Sequence, residues 1–263
     1  MDQEPDYRKM KAHLRGFTLM ELLVVVAVIA ILIAILAPAL EKATERARLA
    51  ACAENMHQLS VGLQTHATEF NNTLPMGPAT PSSIDPTRNY NTVGSHQLWS
   101  GASGQYLGLG ILATGSWLND PRSLICPCDN DATARDGIRG LLGNASADAY
   151  GSYAYRQLDQ TNSDRINVAG VNGAGLAARA IAFDWQSAGP APYVRNSHDY
   201  NENFNILYLD GHVQGLPQSE DAMQVTADAY AAMPGSYLKK LDQLWVTADF
   251  AEGGKPSDAP RLP

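Results

Sequence analysis

The chain has 263 residues, with 19 Lys and Arg against 27 Asp and Glu, a formal charge of −8. That acidic balance makes the chain a poor candidate for gripping nucleic acid through phosphate contacts. The length allows one or two domains, and 22 Gly with 15 Pro give most of the chain the look of an ordinary polar, loop-rich soluble protein.

The first sixteen residues differ from the rest. They hold four basic residues (Arg8, Lys9, Lys11, Arg15) against three acids (Asp2, Glu4, Asp6), a net +1, so their loss would leave −9. From Leu22 to Ala37 there follow sixteen residues without a polar side chain. A cleavable secretory signal places its small-residue cut after the apolar run. Here the basic residues and Gly16 come first, so a cut after Gly16 leaves the apolar run on the mature protein. The 24 residues from Phe17 to Leu40 would make a helix about 36 Å long, enough for a bilayer core of ~30 Å. Basic residues ahead of the run place that end in the cytoplasm and the following body outside. Glu21 interrupts the pattern, since a carboxylate at membrane depth is costly unless paired. An α-amino group freed at Phe17 would lie one helical turn away. The alternative is a carboxylate that snorkels to the headgroup boundary.

Arg15-Gly16-Phe17-Thr18-Leu19-Met20-Glu21-Leu22-Leu23 resembles the class III signal of type IV pilins and type II secretion pseudopilins. The resemblance implies cleavage between Gly16 and Phe17 by a prepilin peptidase, methylation of the new N-terminus, and docking of subunits guided by Glu21. It also implies an inner-membrane assembly platform and a self-assembled filament as partners.

Pro38, near the end of the apolar run, removes a helical hydrogen bond and is a candidate kink. Beyond it, Leu49, Ala53, Met56, Leu59, Leu63, Ala67 and Phe70 recur every three or four residues, the stripe of an amphipathic helix, which Asn71-Asn72 and Pro75 should end. His57 and His66 on this helix read as solvated or packed side chains.

Residues 71–105 read as a long loop, and Leu107–Leu118 as a short helix. Of three cysteines, Cys52, Cys126 and Cys128, the last two stand too close in sequence to bridge each other comfortably. Cys52 with one of them is the preferred pair, and three free buried thiols remain the alternative. C-x-C without a second pair is a weak zinc signal. Tyr153–Tyr155 and Arg179–Trp185 read as strands. Asp210-Gly211 between Phe204–Leu209 and His212–Leu216 predicts a hairpin with a type I′ turn, and residues 219–250 read as mostly helical. His198 with Asp210-Gly211-His212, the Cys-Pro segment and Cys52–Met56 resemble the prepilin-type H-X9-DG proteins. Here eleven residues separate His198 from Asp210. Asp199, Asn201, Glu202 and Asn203 could supply some of the six to eight oxygens that calcium takes, but there is no EF-hand spacing. The hairpin accounts for Asp210-Gly211 without an ion, and no cofactor is expected. No G-x-S-x-G elbow, H-E-x-x-H helix or phosphate loop is present, so no enzyme activity is expected.

The expected architecture is α+β: a leader (1–16), a membrane or filament-core helix (17–40), an amphipathic helix (41–70), a head (71–252) in which a small antiparallel sheet packs on the long helix, and a flexible tail (253–263). Two functional classes fit. One is a structural subunit of a type II secretion-like or type IV pilus-like filament, held as a single-pass inner-membrane protein before assembly. The other is a monomeric signal-anchored surface protein with a binding or enzymatic body.

Overall fold

The fold was analysed in a computed structural model, which describes residues 17–75, 96–101, 104–129, 138, 146–156, 172, 174–184, 186–188, 194–196, 203–217, 223–225, 228 and 235–262. The chain forms two compact units, Met1–Thr44 and Glu45–Pro263, each described by itself. It is an α+β protein with a long N-terminal helix, small antiparallel sheets and a C-terminal helix.

Helix α1 runs Leu19–Glu69. In the first unit its residues are exposed. Its most apolar eighteen-residue window has a mean hydropathy of 3.2 and none of it is buried, so the helix is long and apolar enough to cross a membrane. Pro38 lies inside the helix, where its ring leaves the Ala34 carbonyl without an i+4 donor.

In the second unit α1 buries Cys52, Met56, Leu59, Ser60, Gly62, Leu63, His66 and Ala67. That is the anticipated stripe rotated slightly, with Leu49 and Ala53 half-buried at its edge and Phe70 outside it. Phe70 drops out because the helix has ended. Asn71 and Asn72 take left-handed φ values of 54° and 62°, and the Asn72 amide reaches back to the Ala67 carbonyl at 2.7 Å, a Schellman-type stop. Gly62 lets another segment come close, since a Cβ there would stand 2.9 Å from the Trp117 carbonyl oxygen.

Strands β1 (Gln97–Ser100), β2 (Gln105–Tyr106) and β3 (Ala149–Tyr150) form one small sheet in the order β2-β1-β3. The stretch read as a helix at Leu107–Leu118 is a 3-10 turn over Gly108–Ala113. With glycines at 108, 110 and 115, too little side chain is left to hold a longer helix. The main sheet is antiparallel in the order β4-β5-β8-β9, with β4 Tyr153–Tyr155, β5 Ala180–Asp184, β8 Asn203–Tyr208 and β9 Val213–Pro217. A third sheet orders β10 (Gln224–Val225), β6 (Gln186–Ala188) and β7 (Val194–Asn196), with β10 parallel to β6. Helix α2 runs Gly235–Ala251. Residues 219–250 are therefore not helical throughout: a strand precedes α2.

The main sheet separates two apolar clusters. On one face Tyr153, Tyr155, Ala182 and Leu207 pack with Cys52, Met56, Leu59 and Leu63 of α1. On the other, Ala154, Phe183, Phe204, Ile206 and Tyr208 pack with Leu241, Leu244, Trp245 and Ala248 of α2. The alternation of strand side chains between faces thus makes three layers, helix, sheet and helix. Residues 253–262, expected as a flexible tail, carry a 3-10 turn at Pro256–Asp258. The Gln243 side chain donates to the Pro260 carbonyl at 2.8 Å and accepts from the Leu262 amide at 2.7 Å.

Helix α2 is fastened by a buried ion pair. Arg156 meets Asp249 through two hydrogen bonds of 2.9 and 3.0 Å, with side-chain exposures of 1% and 0%. Asp249 also accepts from the Arg179 and Ala180 amides at 2.8 and 2.9 Å and from the Asn172 side chain at 2.8 Å. The guanidinium lies 5.1 Å from the Trp245 ring. Removing one member of such a pair strands the other, at a cost of about 3–5 kcal/mol. Asp249→Ala should lower head stability by that amount in a denaturant titration; a loss below 1 kcal/mol would show that α2 is held without it.

Candidate processing and assembly site

The residues flanking the expected cut sit just ahead of α1. Gly16 lies outside the described residues. Phe17 is 76% exposed, and neither it nor Thr18 belongs to the helix. The chain on the mature side of the 16–17 bond therefore need not be unwound before a peptidase can bind it.

Glu21 has a partner that the sequence reading overlooked. The Thr18 hydroxyl accepts from the Glu21 amide at 3.2 Å. The Glu21 carboxylate accepts from the Thr18 amide at 2.9 Å and from the Thr18 hydroxyl at 2.8 Å. This is a capping box, which satisfies helix-end donors that otherwise lack partners. The signal was present in the sequence as Thr-x-x-Glu ahead of an apolar run. The box places a carboxylate beside the positive end of the helix dipole, one residue beyond the backbone nitrogen that cleavage would turn into an amine. It orients the acid before any second chain is present.

Apart from Pro38 in α1, the other predicted positions fall into the head or outside the described residues. Cys52 and Cys126 form a disulfide with Cα atoms 5.2 Å apart and 74 residues of separation. Cys128 is free and buried, its amide donating to the Cys126 sulfur at 3.4 Å. By chain-closure entropy a loop of that length is worth about 4 kcal/mol. The bridge ties the buried face of α1 to the segment after the 3-10 turn Pro121–Leu124. Tyr153 donates its hydroxyl to the Cys52 sulfur at 3.4 Å, and burial pushes its phenol well above the ordinary value, keeping it a neutral donor.

The Asp210-Gly211 turn differs from the expected type I′. Asp210 is not among the residues with positive φ, while Gly211 is, at 92°. The Gly211 amide donates to the Tyr208 carbonyl and the Tyr208 amide to the His212 carbonyl. Leu209, Asp210 and Gly211 thus form a three-residue loop with Gly at its left-handed position. A Cβ on Gly211 would lie 2.7 Å from the Gln64 side-chain nitrogen and 2.8 Å from the Ser60 hydroxyl, so the turn packs closely on α1 and a side chain there would have to displace both. Asp210 accepts from His212 Nδ1 at 2.6 Å. Partial burial pushes its carboxyl up, but hydrogen bonds from the His212 amide and ring outweigh that and hold it below the ordinary value. Of the calcium candidates, Asn203 pairs with Pro217 at the start of β8. Asp199, Asn201, Glu202 and also His198 lie outside the described residues. Among those described, no group of three or more His, Cys, Asp or Glu is placed to hold a metal ion.

Residues 12–37 match the family described as the prokaryotic N-terminal methylation motif, the signal of type IV pilin-like proteins, and so span Gly16, Phe17, Thr18 and Glu21. No curated protein and no solved structure matches the chain.

Replacing the cap hydroxyl should remove one of the two hydrogen bonds to the carboxylate and loosen the first turn. Thr18→Ala in detergent micelles is expected to cost about 1 kcal/mol locally, read as faster amide exchange at Met20, Glu21 and Leu22. Unchanged exchange there would mean that Glu21 is held by something else.

Proposed function

We propose that the chain is a structural subunit, a pseudopilin, of a type II secretion-like or type IV pilus-like filament, made as a membrane-inserted precursor. A prepilin peptidase cuts between Gly16 and Phe17 and methylates Phe17. The subunit waits as a single-pass inner-membrane protein with its N-terminal end in the cytoplasm and its head outside, and an inner-membrane assembly platform moves it into the filament. Its role is structural rather than catalytic.

The observation that carries this reading is the methylation motif over residues 12–37 on a helix whose apolar side chains are exposed. The motif implies processing, and the uncovered helix needs lipid or neighbouring copies around it. The Cys52–Cys126 disulfide fits an exported, oxidising compartment. Glu21, oriented by Thr18, is the group that meets the Phe17 amine of a neighbouring subunit. In cells, Glu21→Ala should leave membrane insertion and removal of residues 1–16 largely intact, while filament yield measured by shearing and electron microscopy falls at least tenfold. Wild-type yield would remove Glu21 from assembly, whereas a chain that keeps Met1 and forms no filament would favour a monomeric anchored protein.

A further inference from the structure

The end of α1 carries an unassigned pattern. Asn71-Asn72-Thr73 has the form Asn-x-Thr with a central residue other than proline, the acceptor sequence for N-linked glycosylation. The structure presents it for modification. Asn71 and Asn72 are exposed, and Asn71 stands just past the last helical turn with φ at 54°. No hydrogen bond to its side-chain amide is formed among the described residues. The segment is also defined: the Thr73 hydroxyl donates to the Phe70 carbonyl at 2.5 Å, and His66 Nδ1 lies 3.1 Å from the Thr73 carbonyl oxygen.

Two neighbours strengthen the assignment. Glu69 puts a carboxylate two residues ahead of the acceptor, a further element that bacterial-type transferases read, and it accepts from the Trp117 indole at 3.0 Å. Phe70, directly before Asn71, is 48% exposed. Its ring stacks on His66 at 4.4 Å and meets the edge of Trp117 at 5.7 Å. Among the described head residues Phe70 and Val61 are the exposed large hydrophobics. An aromatic face beside the acceptor gives the C–H face of a first sugar an apolar surface to pack on. The chain has a second such triplet, Asn144-Ala145-Ser146, with Leu142 where the acid would stand; its Asn144 lies outside the described residues, and it serves as an internal comparison.

We propose that Asn71 is an N-glycosylation site, filled by a membrane oligosaccharyltransferase that uses a lipid-diphosphate-linked oligosaccharide. The Asn71 side-chain nitrogen attacks C1 of the first sugar. The C1–oxygen bond to the diphosphate breaks, and the lipid diphosphate leaves with that electron pair. The nitrogen gives one proton to a base on the enzyme, and nothing is oxidised or reduced. The proposal rests on export of the head, because such donors are consumed on the non-cytoplasmic side of the membrane.

The test is a peptide map by mass spectrometry of the full chain purified from its own cells without reductant. The expected result is a carbohydrate mass on the peptide containing Asn71, absent in Asn71→Gln and in Thr73→Ala and kept in Thr73→Ser. Glu69→Gln should lower occupancy at least several-fold. Both sequon-breaking variants should keep the Cys52–Cys126 linkage, which shows that their heads fold. An unmodified Asn71 in a chain with that disulfide formed overturns glycosylation alone. An unmodified Asn71 with reduced cysteines overturns it together with the export reading.

Discussion

The uncovered apolar surface of α1 is the constraint on which the rest of the protein depends. Between Leu22 and Ala37 no side chain is polar, and the described residues there are exposed throughout. Leaving that surface in water would cost on the order of 20 kcal/mol, more than the whole stability of an ordinary domain. The segment therefore needs a cover, and by length and hydropathy it suits a membrane. This accords with the order of the matched methylation signal, basic residues first and the apolar run after them. The acid just ahead of the run, Glu21, is correspondingly not left unpaired: Thr18 orients it through a capping box.

The head solves a different problem, holding a loop-rich chain to one face of a helix. It does so with fixed links far apart in sequence. The disulfide joins residues 74 positions apart, and the Arg156–Asp249 pair joins residues 93 apart. The hairpin turn at Gly211 closes on Ser60 and Gln64. Each link bears on a different layer: the disulfide on α1, the ion pair on α2, and the turn on the contact between the sheet and α1. The sheet between them supplies apolar side chains to both helices by simple alternation, so a short strand such as Tyr153-Ala154-Tyr155 serves two cores.

Much of this was legible in the sequence, for local reasons. A long apolar run, a stripe at helical spacing and an Asp-Gly pair between β-rich stretches report structure within a few residues, and each marked its element. The methylation signal was read from nine consecutive residues. Other features depend on more than local pattern, beyond the 3-10 turn found where a helix was expected over Leu107–Leu118. The capping box is visible as Thr18-x-x-Glu21, but an acid at that place equally suits the amine that cleavage would create. The turn type was misread because Asp-Gly fits both a two-residue loop and the three-residue loop observed. The choice depends on how Gly211 meets α1, a tertiary fact. The placement of α2, and with it the pairing of Arg156 and Asp249, had no local signal, since a charged residue in a helix normally reads as solvated until its partner is known.

The central claim is that the apolar helix begins the mature protein. The mass of the N-terminal peptide of the membrane-extracted chain tests it most directly. The account predicts a chain that starts at Phe17, heavier by one methyl group on its amine, with residues 1–16 gone. A chain that keeps Met1, or one cut after the apolar run so that α1 loses its first half, would contradict it.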